Sequence, residues 1–248
     1  MRRVQFTSFA LSAALAALLT APSPVSAEPR AVVELFTSQG CSSCPAADKL
    51  LGELARDPSL VVLSLPIDYW DYLGWKDTLA DPRHTLRQRA YARERGDRNV
   101  YTPQVVVNGS VHALGSDKSA IEQAVTQSRR NTSALTLPVK LTKADDKLTI
   151  SLPAGTEERR GGEVWACAIA KAVPVAVERG ENRGKTVTYH NVVRRWVKLA
   201  DWTGKAETLT LPLGDLTREG ADTVAVLIQS GTREKPGAML GAAMLDLR

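Results

Sequence analysis

The sequence predicts an α/β unit followed by an all-β, sandwich-like unit, and three observations carry that expectation. An apolar run, Ala31 to Phe36, gives way to Thr37-Ser38-Gln39-Gly40 and then Cys41-Ser42-Ser43-Cys44, after which the apolar period changes from that of a buried strand to that of a helix. Asn108-Gly109 stands between two short apolar segments, the signal of a tight hairpin. From residue 135 onward the helical period vanishes, and short alternating runs recur between Gly, Asp and Pro turns.

Residues 1–27 are set aside first. Met1-Arg2-Arg3 is basic, Phe9 to Leu19 is apolar and rich in Ala and Leu, and Val25-Ser26-Ala27 supplies small residues for cleavage after Ala27. This is the pattern of a secretory signal peptide, the apolar stretch being short and Ala-rich for a membrane span; an uncleaved anchor is the alternative reading. The mature chain is therefore expected in the periplasm or outside the cell, with no stable membrane insertion. Losing two arginines and no acids lowers the formal charge from +5 to +3. The cations are dispersed among acids, which gives no argument for a nucleic-acid partner.

Ala31 to Phe36 reads as a buried strand. Ala47, Leu50, Leu51, Leu54 and Ala55 then form the apolar stripe of a helix that Asp57-Pro58 stops. Leu60 to Leu65, bounded by Pro58 and Pro66, is a second strand, and the three elements make a βαβ unit. Pro82 to Glu94 reads as a helix with Leu86, Ala90 and Tyr91 inward, arginines at 83, 87, 89 and 93, and His84 at the surface or boundary. Gln104 to Val107 and Val111 to Leu114 flank the hairpin turn, and a helix over roughly 117–129 follows. Arg129 to Ser133 reads as a linker. The expected strands beyond it, about eight, are 135–141, 147–152, 164–171, 186–190, 192–199, 206–211, 223–229 and 239–247, in an antiparallel sandwich. The expected domains are 28–130 and 131–248, after the signal peptide at 1–27.

The chemistry centres on Cys41 and Cys44. At the mouth of a helix, free N–H groups and the helix dipole favour a thiolate, so Cys41 is the candidate attacking thiol, with a pKa below the free value of about 8.5. Cys44, one turn on, is the candidate resolving thiol. A redox-active pair is one reading, and an inert structural disulfide in a non-catalytic exported binding protein is another. Half of a zinc site is a third, although only Cys167, His84, His112 and His190 remain as ligands and none forms a second close pair. Two sulfurs also suit copper, without a clear third ligand. No cofactor or metal is expected, and the expected partner is a protein or small molecule bearing a thiol or disulfide. Cys167, between Trp165 and Ile169, reads as a buried inert thiol.

Two further stretches bear on this pair. Ile67 to Asp77 is dense in aromatics and acids and follows the carboxyl end of a strand, where α/β folds place functional groups. Tyr69, Trp70 and Tyr72 either cap the sheet or form an apolar wall beside the cysteines. Asp68, nearer the strand end than Asp71, is the preferred carboxylate to exchange a proton with Cys44. Gly180 to Gly184 reads as a turn between strands, or as a segment whose Glu181, Asn182 and Arg183, with nearby His190, reach over the thiol site.

The order β-(CxxC)α-β-α-(TP)β-β-α resembles the thioredoxin fold. That resemblance implies an α/β thioredoxin-like domain ahead of the sandwich-like one, with Pro103 in cis, facing the CxxC and leaving the backbone of Thr102 to pair with an extended substrate beside Cys41. Closer still, Val33 to Pro45, Asp68 to Asp77, Val100-Tyr101-Thr102-Pro103-Gln104, Gly180 to Gly184 and Tyr189 to Arg194 are similar to the bacterial secreted thioredoxin-like family named domain of unknown function 1223. On that likeness Cys41, Cys44, Pro103 and Asp68 are the expected catalytic group, and Thr102, Tyr69, Trp70 and Tyr101 the substrate-binding group. The chain departs from the family pattern at Pro66-Ile67, where a histidine-valine pair is common, and at Ala46, where a second proline is common.

Overall fold

The computed structural model describes residues 28–131, 134–156 and 161–248; the expected signal peptide and residues 132–133 of the expected linker lie outside the described residues. Strand β1 (Ala31–Thr37) is buried along its whole length, Glu34 included. Helix α1 (Cys44–Leu54) follows, with Pro45 in its first turn, where a missing N–H costs nothing. Next come β2 (Leu60–Pro66), α2 (Pro82–Arg95), β3 (Gln104–Val107), β4 (Val111–Leu114) and α3 (Lys118–Asn131). This is the order expected of a thioredoxin-like unit. The second half contributes β5 (Lys140–Ala144), β6 (Lys147–Leu152), β7 (Gly162–Ala176), β8 (Thr186–Trp202), β9 (Glu207–Pro212), β10 (Thr223–Gly231) and β11 (Pro236–Asp246).

One sheet of eight strands runs through both halves in the order β11-β10-β7-β8-β2-β1-β3-β4, and β5-β6-β9 form a second sheet. β1 and β2 are parallel, β3 and β4 continue antiparallel, and the halves meet where β8 lies parallel to β2 with Ser64 opposite Val192. Side-chain alternation along each strand then sorts the core into layers. Val33, Leu35, Val62 and Val105 face Ala47, Leu51, Leu54 and Ile121 of α1 and α3. On the opposite face Val32, Phe36, Leu63 and Val106 join Tyr91 of α2, and the same layer continues into Trp165, Cys167, Ala225 and Leu227. Val164, Ala166, Val224 and Val226 point the other way, onto Leu148 and Ile150 of the second sheet, and so make the sandwich.

Four local expectations are corrected. The expected strands 186–190 and 192–199 are one strand, β8: pairing with β7 keeps its register across Asn191, with Ala170 opposite Val192 and Ala172 opposite His190, although Asn191 takes a left-handed φ of 49°, and its Nδ2 donates to Val62 O at 3.1 Å. The strand expected from Leu135 begins only at Lys140, since Leu135 has a φ of 54° and its N–H donates to Met239 O. A short helix, α4 (Leu213–Leu216), lies in the half expected to be helix-free. The inner face of α2 is also polar: His84, Thr85, Arg87, Gln88 and Tyr91 are buried whereas Leu86 is 53% exposed. The cause is Glu34. A carboxylate sealed in β1 requires a cation, and Arg87 Nε meets Glu34 Oε1 at 2.6 Å while Tyr91 Oη donates to Oε2 at 2.7 Å.

Candidate functional site

Cys41 and Cys44 form a disulfide, with Cα atoms 5.4 Å apart. The turn that holds them is built by backbone bonds from Cys41 N to Ser38 O and from Cys44 N to Cys41 O, both 3.2 Å. Cys44 is the first residue of α1, so Cys41 sits just ahead of the helix N-terminus, and its Sγ lies 3.5 Å from Ser43 Oγ. Cys41 is 2% exposed and Cys44 is sealed.

The cover comes from two directions. Trp70 packs on Gly40, where an added Cβ would meet Trp70 Cβ at 3.2 Å, and its indole N–H donates to Thr102 Oγ1 at 2.7 Å. It thereby ties the cysteine turn to the Thr102–Pro103 bond, which is cis. Pro103 and Ala47 of α1 converge on Gly115, where a side chain would meet Pro103 Cβ at 3.1 Å and Ala47 Cβ at 3.3 Å. From the second half, the β7–β8 loop lies over the turn. Asn182 is buried, and its Nδ2 donates to Gln39 O at 2.9 Å and to Cys41 O at 2.8 Å, while Ser42 N donates to Glu181 Oε2 at 3.2 Å. Lys185 Nζ donates to Asn182 Oδ1 at 2.9 Å and fixes the amide's orientation.

The remaining sequence-derived candidates lie at different depths. Tyr69 Oη donates to Gln88 Oε1, and burial pushes its pKa up to about 12. Tyr72 is 77% exposed and stacks on Trp70. Tyr101 pairs with His112. His190 packs on Gly52 in the last turn of α1, where an added Cβ would come 2.4 Å from its Cδ2. Arg183 is exposed in the β7–β8 loop, where its N–H donates to Gly180 O. Asp68 accepts from Thr85 Oγ1 at 2.5 Å, on the α2 side. Cys167 is sealed in β7, and burial raises its thiol pKa.

The carboxylate on the same helix face as Cys44 is Asp48, four residues on, a spacing that brings Cβ atoms to about 5–6 Å. Asp48 is 1% exposed; its Oδ1 accepts from Thr37 Oγ1 at 2.8 Å and its Oδ2 has no partner. Burial pushes its pKa up to about 8 against the lowering effect of the Thr37 bond, with Asp77 adding repulsion. Asp77 itself accepts from Gln39 N and Leu79 N, yet burial still pushes it up to about 6. The signal for Asp48 lies in the sequence: an acid at i+4 from Cys44 and i−3 from Leu51 falls on a buried face. Among the described residues, no cluster of three His, Cys, Asp or Glu side chains is placed to hold a metal ion. No helix among them is long and apolar enough to cross a membrane.

The family described as Protein of unknown function (DUF1223) matches residues 32–229, and the chain belongs to it. Among solved structures, protein AGR_C_4864 from Agrobacterium tumefaciens is similar at 33% identity and a TM-score of 0.79, over 89% of this chain and 96% of that one. HBP35 of Porphyromonas gingivalis shares the fold at 13% identity and a TM-score of 0.56, over 89% of this chain and 76% of its own. No curated protein sequence matches the chain.

Proposed function

We propose that this member of the DUF1223 family is an exported thiol–disulfide oxidoreductase that works through Cys41 and Cys44 on protein or small-molecule disulfides. The observation that carries the reading is the Cys41–Cys44 disulfide at the start of α1 with the buried Asp48 carboxyl one turn beyond it. In the reducing direction the Cys41 thiolate attacks a partner disulfide, forming a mixed disulfide and expelling one partner thiolate. Cys44 then loses its proton to the Asp48 carboxylate and attacks Sγ of Cys41, which releases the second partner sulfur as thiolate and regenerates the internal disulfide. Burial pushes the Asp48 pKa up to about 8, so this carboxyl both holds and releases a proton near neutral pH, as an acid–base partner for the thiol must. Export rests on the signal-peptide pattern of residues 1–27.

Cys44→Ser tests the reading. In the native host this variant should hold partners on Cys41 as mixed disulfides. Absence of any trapped partner, together with failure of the native protein to reduce or oxidise a model disulfide, would sink it. The 2% exposure of Cys41 beneath Asn182 favours one competitor, an exported binding protein with an inert disulfide. That account requires a protein with both cysteines changed to serine to support the same phenotype as the native chain.

A further inference from the structure

A second cavity, of about 570 Å³, opens between α2, the β7–β8 ribbon and the β10–β11 turn, and none of the cysteine machinery lines it. Its floor is unusual for a surface cleft. Arg87 is only 9% exposed, and its guanidinium lies over the Trp196 ring at 4.3 Å from the centroid and the Tyr91 ring at 4.8 Å. Nε is bound to Glu34, and Nη2 donates to Tyr91 Oη and Gln229 Oε1. Nη1 has no hydrogen-bond partner among the described residues. The same holds for the indole N–H of Trp165, a residue 7% exposed whose ring meets that of Trp196 at 6.1 Å. Both N–H groups keep access to the cavity that their residues line, where a ligand or water accepts from them.

The wall chemistry indicates what completes them. Arg195 and Arg233 line the same cavity with no carboxylate partner among the described residues; Arg195 Nη1 donates only to a backbone oxygen, Asp215 O. The carboxylate of Glu163 is occupied by Lys198 at 2.8 Å, and Glu234 is exposed at the rim. Guanidinium and indole donors around a pair of tilted indole faces select a planar apolar body carrying an anionic head. His84, 3% exposed, donates from Nδ1 to Pro66 O, and as a neutral ring it keeps Nε2 as an acceptor at the cavity wall. The size falls within the range of small-molecule pockets.

We infer that this cavity binds a small, flat carboxylate, its head on Arg87, Trp165 and the Arg195–Arg233 pair and its body against Trp196. The inference is independent of the redox reading. Calorimetry and tryptophan fluorescence on the mature chain, with 2-naphthoate as probe and neutral 2-naphthamide as control, test it. The acid should saturate a single site at sub-millimolar concentration, with the amide about tenfold weaker or more. Arg195→Gln/Arg233→Gln and Trp165→Phe should each weaken the acid about tenfold, without changing the fold by circular dichroism. Both arginines are surface groups, so their variant stays informative if Trp165→Phe proves poorly folded. A Cys41→Ser/Cys44→Ser protein should bind as the native chain does. No saturation by millimolar naphthoate, equal binding of the amide, or indifference to the arginine variant would overturn the assignment.

Discussion

Replacing Asp48 by asparagine should change how stability depends on pH rather than stability alone. Asp48 is 1% exposed, keeps one carboxyl oxygen unpartnered, and has its pKa pushed from 3.8 up to about 8. Because the folded pKa lies above the unfolded one, the folded state holds the proton through a window in which the unfolded chain has lost it. Its contribution is therefore complete below about pH 4 and is lost as pH rises to about 8. A displacement of about four pKa units corresponds to roughly 6 kcal/mol over the window, or about 1.4 kcal/mol per pH unit. Asparagine fills the same space without titrating. Urea unfolding of the oxidised native and Asp48→Asn proteins at pH 5, 6, 7 and 8 should show the native protein losing about 4 kcal/mol relative to the variant across that range. Asp77, pushed up to about 6, titrates in both proteins and largely cancels in the difference. A difference that stays flat within about 1 kcal/mol across these pH values would mean that Asp48 is ionised in the folded protein, and the proton-exchange role drawn for it would fall with that result.

Two further perturbations follow from the same geometry. Asn182→Ala removes two hydrogen bonds to the cysteine turn, worth about 1 kcal/mol each, and should speed reduction of the disulfide by dithiothreitol by up to about 30-fold. A rate unchanged by the substitution would show that the β7–β8 loop does not control access to Cys41. Arg87→Met leaves Glu34 sealed in β1 without its cation and should cost about 3–5 kcal/mol in urea unfolding, part of which Glu34→Gln should restore.

The α/β half was legible because its signals are local. The β-branched runs 31–36 and 60–65, the Asn108-Gly109 turn and the stripe on α1 each report their own backbone conformation. What escaped depended on partners distant in sequence. Leu86 reads as a core residue of α2 only if the face that carries it turns inward, and Glu34, 53 residues upstream of Arg87, turns it outward instead. Asn191 hides in the same way, as a polar residue between two good strand segments; pairing with β7 keeps one register from Val192 to His190, so a single strand runs where a break is the natural reading. At the site, Ile67 to Asp77 stands out by its aromatics and acids, and three of them, Trp70, Trp75 and Asp77, touch the cysteine turn. Asp48 is harder to see because a helix stripe defined by apolar residues alone conceals an acid that lies on it.

Strand pairing between the halves is slight, one register position between β2 and β8, so the seam depends on particular side chains. Gly52 is one of them. A glycine inside a helix costs about 1 kcal/mol relative to alanine, and here that absent Cβ is what lets His190 close onto α1. Asn191 is a second, since its left-handed turn carries an amide to Val62 O and holds β8 in place along β2. With β8 so fixed, the β7–β8 ribbon projects past the sheet far enough for Asn182 to reach the carbonyls of Gln39 and Cys41. The second half thus sets how much of Cys41 a partner can reach. In this arrangement a disulfide partner must either lift the Asn182 loop or draw Trp70 away from Gly40 before it meets the sulfur, and the dithiothreitol rate of Asn182→Ala separates those two routes.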